Sequence, residues 1–299
     1  MVTVELHAAS HVGRVRRGNE DNYLLLDLGT CTSNSHRDGG HGAVEVVSRK
    51  VELERNGVVL AVSDGMGGAL AGEVASQMAV ELIGDALVEA KESSENSDHL
   101  ISKLYEAVLS ANTLIHQRGR EPEFQGMGAT FTGVSIHTGT SDFIQVGDSR
   151  AYLIRDAKIY QVTKDQSLVQ QLIDTKQLSE ADAESHTLRN VILQALGAQV
   201  EVFPVTSRLL TNDNDVLLLC SDGLSNKLSK QEMQEIVETN SENLAEACRE
   251  LVERANENGG EDNITVIVAR ITGDSLPLPS DAKVRVESLD LGNVHDTEE

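Results

Sequence analysis

Residues 58–76 read VVLAVSDGMGGALAGEVAS, and the change of character along this stretch decides the fold. It opens on Val58 to Val62, a run of small and branched apolar residues short enough for a buried strand. Asp64 stands at the strand end, followed by Gly65-Met66-Gly67-Gly68. The period then changes: Val74, Met78 and Leu82 recur every four residues, as on the apolar face of a helix. A strand that delivers a carboxylate into a glycine-rich turn ahead of a helix is a common frame for an ion or phosphate site. Glycines there let backbone groups approach closely. Alone, the stretch reads equally well as a plain strand–turn–helix connection. The rest of the chain separates the two readings.

Upstream, residues 2–10 alternate and predict a strand. His11-Val12-Gly13 turns it into 14–17, and Gly18-Asn19-Glu20-Asp21-Asn22 precedes a second strand over 23–28. Two strands thus flank a polar elbow with a basic cluster and two adjacent acids. Residues 29–42 are rich in Ser, Asn and Gly and read as a flexible insertion. His36 and His41 within it read as solvated loop residues, with metal ligation as the alternative. Strands follow over 44–54 and 57–62, joined at Arg55-Asn56-Gly57.

Downstream, helices are expected over 72–91 and 98–118, the second with Leu100, Leu104, Val108 and Ile115 on one face. Gly126-Met127-Gly128-Ala129-Thr130 turns into a strand over 130–137. Residues 142–146 are expected to pair with 151–154 across Gly147-Asp148-Ser149-Arg150, with 158–162 extending the meander. Residues 163–197 are polar and partly helical, with Leu168, Leu172 and Ile173 as apolar contacts. Strands over 200–209 and 215–220 follow, the second ending in Ser221-Asp222-Gly223, the same device as at Asp64. Helices over 230–239 and 243–256 stop at Gly259-Gly260, and Glu261-Asp262-Asn263 leads into a last strand over 264–271. There is no repeat of solenoid length. This order of strand and helix runs fits an α+β layered sandwich better than a parallel α/β sheet. Prolines and scattered acids beyond Gly273 divide the chain into a domain over 1–273 and an acidic, flexible tail over 274–299.

Composition narrows the function. The 299 residues hold 25 basic and 48 acidic side chains, a net charge of −23, which argues against nucleic acid or an anionic membrane as a partner. Aromatics are 3% with no Trp, so the core must be mainly aliphatic. Cys31, Cys220 and Cys248 are widely spaced with no CxxC pair, which points away from a disulfide framework and towards a reducing compartment. The first residues have neither a basic start nor an apolar h-region. No apolar run reaches membrane-spanning length. The expectation is a cytoplasmic monomer.

Acids recur wherever a strand meets a polar turn: Asp21, Asp64, Asp148, Asp222 and Asp262. Singly, each reads as a turn or cap residue. Together without metal they would repel and hold raised pKa values. Around hard divalent cations they supply the oxygens that Mg²⁺ and Mn²⁺ prefer, and the scarcity of nearby His and Cys disfavours zinc. The pattern suggests a dinuclear Mg/Mn site that activates water.

Six motifs, in order, give the chain a resemblance to a known family. They are Arg16-Arg17-Gly18-Asn19-Glu20-Asp21, Asp64-Gly65-Met66-Gly67-Gly68, Gly126-Met127-Gly128-Ala129-Thr130, Val146-Gly147-Asp148-Ser149-Arg150, Ser221-Asp222-Gly223 and Glu261-Asp262-Asn263-Ile264-Thr265. From about Thr3 to Arg270 the chain resembles the metal-dependent serine/threonine protein phosphatases of type 2C, in their bacterial form. The resemblance implies a four-layer αββα sandwich, two antiparallel sheets flanked by helices, with metals in a cleft at one end. It implies that Asp64 bridges two core metals and Gly65 binds one through its carbonyl. Asp222 and Asp262 would bind the other, with Asp21, or its neighbour Glu20, in its shell through water. Asp148 with Asp222 would match an extra metal site, Arg16 the arginine that holds the substrate phosphate, and residues 163–197 a flap beside the cleft. Animal members carry a histidine after the Asp-Gly where this chain has Met66, which cannot donate a proton. A metal-bound water or the flap residue His186 are the alternative acids.

The implied reaction is hydrolysis of phosphoserine and phosphothreonine in proteins, with a cognate Ser/Thr kinase as the opposing partner. A water or hydroxide bridging metals on the order of 4 Å apart, its pKa lowered from about 15.7 towards 7, would attack phosphorus directly with no phosphoenzyme. Arg16 would neutralise the phosphoryl oxygens. Two other classes remain open: a regulatory or binding module of the same fold without catalysis, and a metal-dependent nuclease, which the absence of basic stripes disfavours.

Overall fold

Strand β12, Asp215–Cys220, is buried at every position, and the reason is that apolar layers cover both of its faces. Leu217 and Leu219 point into one core, while Val216, Leu218 and Cys220 point into another. A sheet covered on both sides reads as a continuous apolar run instead of an alternating one. The computed structural model describes residues 1–35, 42–53, 57–90, 97–183, 186–278 and 284–291.

Two antiparallel sheets are stacked. One is six-stranded, in the order β10 (Lys158–Gln161), β9 (Arg150–Arg155), β12, β13 (Ile264–Gly273), β1 (Val2–His11) and β4 (Val47–Leu53). The other is eight-stranded, with β14 (Val286–Leu289), β11 (Val205–Leu210), β8 (Thr140–Val146), β7 (Phe131–His137), β5 (Val58–Met66), β2 (Asp21–Asp27) and β3 (Thr32–Ser35) in line. Its remaining strand, β6 (Gly128–Ala129), pairs with the end of β5. Leu6, Ala8, Leu153 and Ile267 from the first sheet meet Leu25, Leu60, Val62 and Phe143 from the second in the central core. Helices α1 (Ala69–Glu89) and α2 (Ser97–Arg118) close the outer face of the eight-stranded sheet, burying Ile83, Leu87, Leu100 and Leu104 against Leu24 and Val59. Helices α6 (Lys230–Thr239) and α7 (Leu244–Glu257) close the other outer face, with Met233, Leu251 and Val252 against Leu218 and Val268. The architecture is the αββα sandwich.

Several expectations are corrected. Residues 142–146 and 151–154 are strands, but they do not pair. β8 lies between β7 and β11, whereas β9 pairs with β12 and β10, so Gly147-Asp148-Ser149 carries the chain from one sheet to the other. Likewise β4 pairs with β1 and β5 with β2 and β7, so these strands also belong to different sheets. Part of 29–42 is the strand β3 on β2; His36 and His41 lie outside the described residues. On α1 the fully buried stripe is Ala71, Ala75, Ala79, Ile83 and Leu87, with Val74, Met78 and Leu82 packed beside it. The strand expected over 200–209 is shorter, beginning at Val205.

The segment beyond Gly273 is also not simply a tail. Leu276 is buried in the central core, and β14 adds an edge strand to β11, pairing Thr206 with Leu289 and Leu209 with Val286. Strand pairing requires backbone amides and an open edge, and no apolar period announces it.

Candidate active site

The antiparallel registers bring six strand ends to one edge of the sandwich. Asp21 opens β2 and lies opposite Asp64 near the end of β5. On the other sheet Cys220 ends β12 opposite both Arg150 and Val266, while Ser10 at the end of β1 faces Thr265. Asp148 therefore lies on the inter-sheet elbow, Asp222 begins the one-turn helix α5 (Asp222–Ser225) and Asp262 precedes β13. Asp64 is the centre of the cluster and feels Asp21, Asp222, Asp148 and Asp262. The structure brings the sequence-predicted acids together.

Two glycines permit this approach. A Cβ on Gly65 would stand 2.1 Å from the Gly72 carbonyl oxygen and 2.6 Å from that of Glu20, and one on Gly223 would stand 1.9 Å from that of Asn263. Neither position admits a side chain without backbone movement. Gly65 N–H instead donates to the Glu20 carbonyl at 3.1 Å, closing β5 onto the 12–20 elbow.

Hydroxyls and amides that sequence reasoning passed over hold the acids in place. Ser221 Oγ donates to Asp21 Oδ2 at 2.6 Å and accepts from Thr265 N–H at 3.0 Å. Thr265 Oγ1 is 2.7 Å from Ser10 Oγ, to which Asn19 Nδ2 donates at 2.8 Å. Thr130 Oγ1 accepts from Asp64 N–H at 2.9 Å and lies 2.7 Å from Ser149 Oγ, tying the 126–130 motif to the Asp148 elbow. Asn263 accepts from Glu20 N–H and donates to the Val12 and Gly18 carbonyls, so it holds the elbow that carries Arg16. The signal was present: each is a polar residue inside or beside a buried strand, where an unpaired hydroxyl or amide is costly.

Burial raises the carboxylate pKa values, and their mutual repulsion adds to it. Desolvation, with Asp222 and Asp262 nearby, pushes Asp21 to about 7 despite its hydrogen bond from Ser221. Asp148 is pushed to about 7 by burial and Asp222, and Asp222 to about 6 by burial and Asp262. Asp64 is pushed well up by burial and then by Asp21. Moreover, Asp21 Oδ1 and Asp148 Oδ1 are buried without a hydrogen-bond partner. Orphaned buried carboxylate oxygens within an all-oxygen donor set fit hard divalent cations. Among the described residues no three acidic, His or Cys side chains form a ready-made cage for a single ion.

Arg16 borders the acid cluster. Its Nη2 donates to Asp262 Oδ2 at 2.9 Å, its Nη1 is 3.8 Å from Glu20 Oε1, and its side chain is 45% exposed. A cleft of about 560 Å³ opens beside Asp148 and Asp222, between α5–α6 and a flap that carries α3 (Leu168–Asp174) and α4 (Glu180–Ala183). Helix α3 has no fully buried residue. The flap's first residues are clamped to the elbow: Arg150 grips Asp165 with bonds of 2.7–3.0 Å, and Gln166 exchanges hydrogen bonds with Gly147. His186 is not among the residues lining the cleft; its Nδ1 accepts from Leu188 N–H at 3.2 Å.

Comparison with known proteins decides the family. The protein phosphatase 2C family matches residues 48–266. The chain belongs to the protein phosphatase 2C family. Its metal-dependent serine/threonine phosphatases account for the acid cluster. The chain is 38% identical over 214 residues, 71% of its length, to serine/threonine protein phosphatase PstP of Mycobacterium tuberculosis, and spans 40% of that relative. It is 38% identical over 244 residues to protein phosphatase PhpP of Streptococcus pneumoniae, covering 81% of this chain and 94% of the relative. A solved catalytic domain of PstP in complex with two manganese ions superposes with a TM-score of 0.70 at 32% identity, covering 91% of this chain and all of that one. Among the described residues no helix is long and apolar enough to cross a membrane.

Proposed function

We propose that this protein hydrolyses phosphoserine and phosphothreonine in protein substrates, reversing the work of a cognate Ser/Thr kinase, as a cytoplasmic monomer. The observation that carries this reading is the convergence of five strand-end acids, two with orphaned buried oxygens, beside a half-exposed arginine.

In this reading Asp64 and the Gly65 carbonyl, Asp222 and Asp262, with Asp21 behind them, would hold two Mn²⁺ or Mg²⁺ ions, and Asp148 with Asp222 would hold a third. Bound there, the ions would supply Lewis acidity and lower the pKa of water in the site. Arg16 would offer its planar fork to the phosphoryl oxygens; Asp262 and Glu20 keep it beside the acid cluster. Ser221 keeps Asp21 turned towards the cluster. A cysteine phosphoenzyme is disfavoured, because burial pushes the thiols of Cys220 and Cys248 up to about 12. For the leaving oxygen, Met66 after Asp64-Gly65 offers no proton and the His186 Nδ1 is occupied by the Leu188 N–H, so water is the proposed proton source.

The test is turnover of a phosphothreonine peptide. It should need Mn²⁺ or Mg²⁺ and vanish in chelator; undiminished turnover in excess chelator would sink the reading. Arg16→Ala should lower kcat/KM and leave metal binding intact, and Arg16→Lys should restore it only in part. Asp148→Asn should keep the fold and two metals while turnover falls.

A further inference from the structure

The chain carries 48 acids against 25 bases, yet the outer rim of the flap cleft reverses that balance. Away from the Asp148 and Asp222 floor, Lys227 and Lys230 line the α5–α6 wall and Arg189 lines the flap wall. Of the charges on the walls, Asp165 is engaged by Arg150 and Lys227 by Glu261, with Lys230 and Arg189 set against Glu180. The walls that rise from the carboxylate floor are thus cationic on balance.

Local stability does not account for these cations. Lys230 is the first residue of α6, where a positive charge opposes the helix dipole. The helix is already capped there by the reciprocal Ser229–Glu232 pair. Lys230 is exposed and forms no ion pair among the described residues. Lys227 meets Glu261, an exposed acid that also feels Arg189. Such surface pairs are weak and exchange readily for a competing carboxylate.

We propose that Lys230, Lys227 and Arg189 form a subsite that selects phosphoproteins with acidic residues close to the phosphorylated serine or threonine. This rests on the phosphatase reading above. A phosphorylated side chain at the carboxylate cluster places its neighbours in the peptide, about 3.3 Å per residue when extended, along the two cationic walls. Acidic neighbours are drawn in, and lysine or arginine at the same places is repelled.

The experiment compares two phosphothreonine peptides, identical except for Asp or Lys at the two positions on each side of the phosphothreonine, with p-nitrophenyl phosphate as a substrate too small to reach the walls. In Mn²⁺ at low salt, the Asp peptide should show a kcat/KM about 10-fold above that of the Lys peptide. The ratio should shrink towards one at about 0.5 M salt, where charges at these separations are screened. Lys230→Glu and Arg189→Glu should each erase or invert the ratio while p-nitrophenyl phosphate turnover stays within about twofold. The melting temperature of Lys230→Glu should hold or rise, since an acid suits that helix end. Equal turnover of the two peptides by the unaltered protein, or an unchanged ratio in both variants, overturns the subsite alone. No hydrolysis of the aryl phosphate overturns the phosphatase reading and the subsite with it.

Discussion

The tripeptide Ser-Asp-Gly occurs twice at the cleft, as Ser63-Asp64-Gly65 ending β5 and as Ser221-Asp222-Gly223 ending β12, one from each sheet. Both serines are fully buried, both aspartates are half-buried, and both glycines lie against a neighbouring carbonyl. The serines do different work. Ser63 Oγ donates to the Thr130 carbonyl at 2.7 Å, a bond within its own sheet. Ser221 Oγ donates to the carboxylate of Asp21, which belongs to the opposite sheet. The first copy anchors its own strand, whereas the second fastens the seam across which the acids meet. Identical residues at identical strand ends thus divide into a structural anchor and an inter-sheet positioning contact.

Removing the shared charge should have the largest effect and should erase the difference. On the proposed metal site, Asp64→Asn and Asp222→Asn should each lower phosphopeptide kcat more than about 100-fold, because either would lose a carboxylate assigned to the shared metals. Steady-state kinetics with saturating Mn²⁺ measure this, and a variant within tenfold of normal would remove its residue from the ligand set.

The serines should then separate the two copies. Ser221→Ala removes a donor from Asp21, leaving Thr265, and should weaken Mn²⁺ binding by about 10- to 100-fold, read by calorimetric titration. Ser63→Ala should lose about 1 kcal/mol of stability with metal affinity unchanged. Equal effects on metal affinity would end the distinction between anchor and seam.

A smaller effect should appear in the chelated protein as pH changes. Asp21 is raised from 3.8 to about 7 and Asp222 from 3.8 to about 6, so between these limits the folded state binds more protons than the unfolded. Stability present at low pH should therefore be lost as pH rises from about 4 through about 7. Mn²⁺ should raise the melting temperature more at pH 8 than at pH 5, and Asp21→Asn should flatten the dependence more than Asp222→Asn. A melting temperature that climbs with pH in chelator would contradict the assigned burial.

The smallest effect concerns a region far from both tripeptides. Truncation after Gly273 removes buried Leu276 and the β14 ladder and should cost about 1–3 kcal/mol of stability. The kcat of the truncated protein should match that of the full chain; a fall in kcat would link the β11 edge to the cleft.

Much of this was legible beforehand. The strands over 2–10, 58–62 and 215–220 and the helices over 98–118 and 230–239 announce themselves because burial imposes a period of two or 3.6, or a continuous run when both faces are covered. The five acids were legible because each stands beside a glycine or asparagine at a strand end. The partners of strands were not. A hairpin across Gly147–Arg150 and a jump between sheets require the same polar elbow of a few residues, so β8 and β9 were assigned to each other wrongly. Strand β14 gives no sequence signal because it is short and largely exposed, held by backbone pairing to β11 with Leu289 as its packed side chain.

The sequence by itself determined the α+β content, the recurrence of acids at strand ends and, through six ordered motifs, the resemblance to the family, since these depend on residue type, local spacing and order along the chain. Only the tertiary structure decided that Ser221 reaches Asp21 across 200 residues, that the Asp148 elbow bridges the sheets, and that Arg16 rests on Asp262. It alone gathered Lys227, Lys230 and Arg189 around one cleft. The physical reason is that hydrogen bonds and charges act over a few ångströms in space, whereas the chain orders residues only along its length. Contacts across the seam become defined when both sheets pack and bring their ends to the same edge.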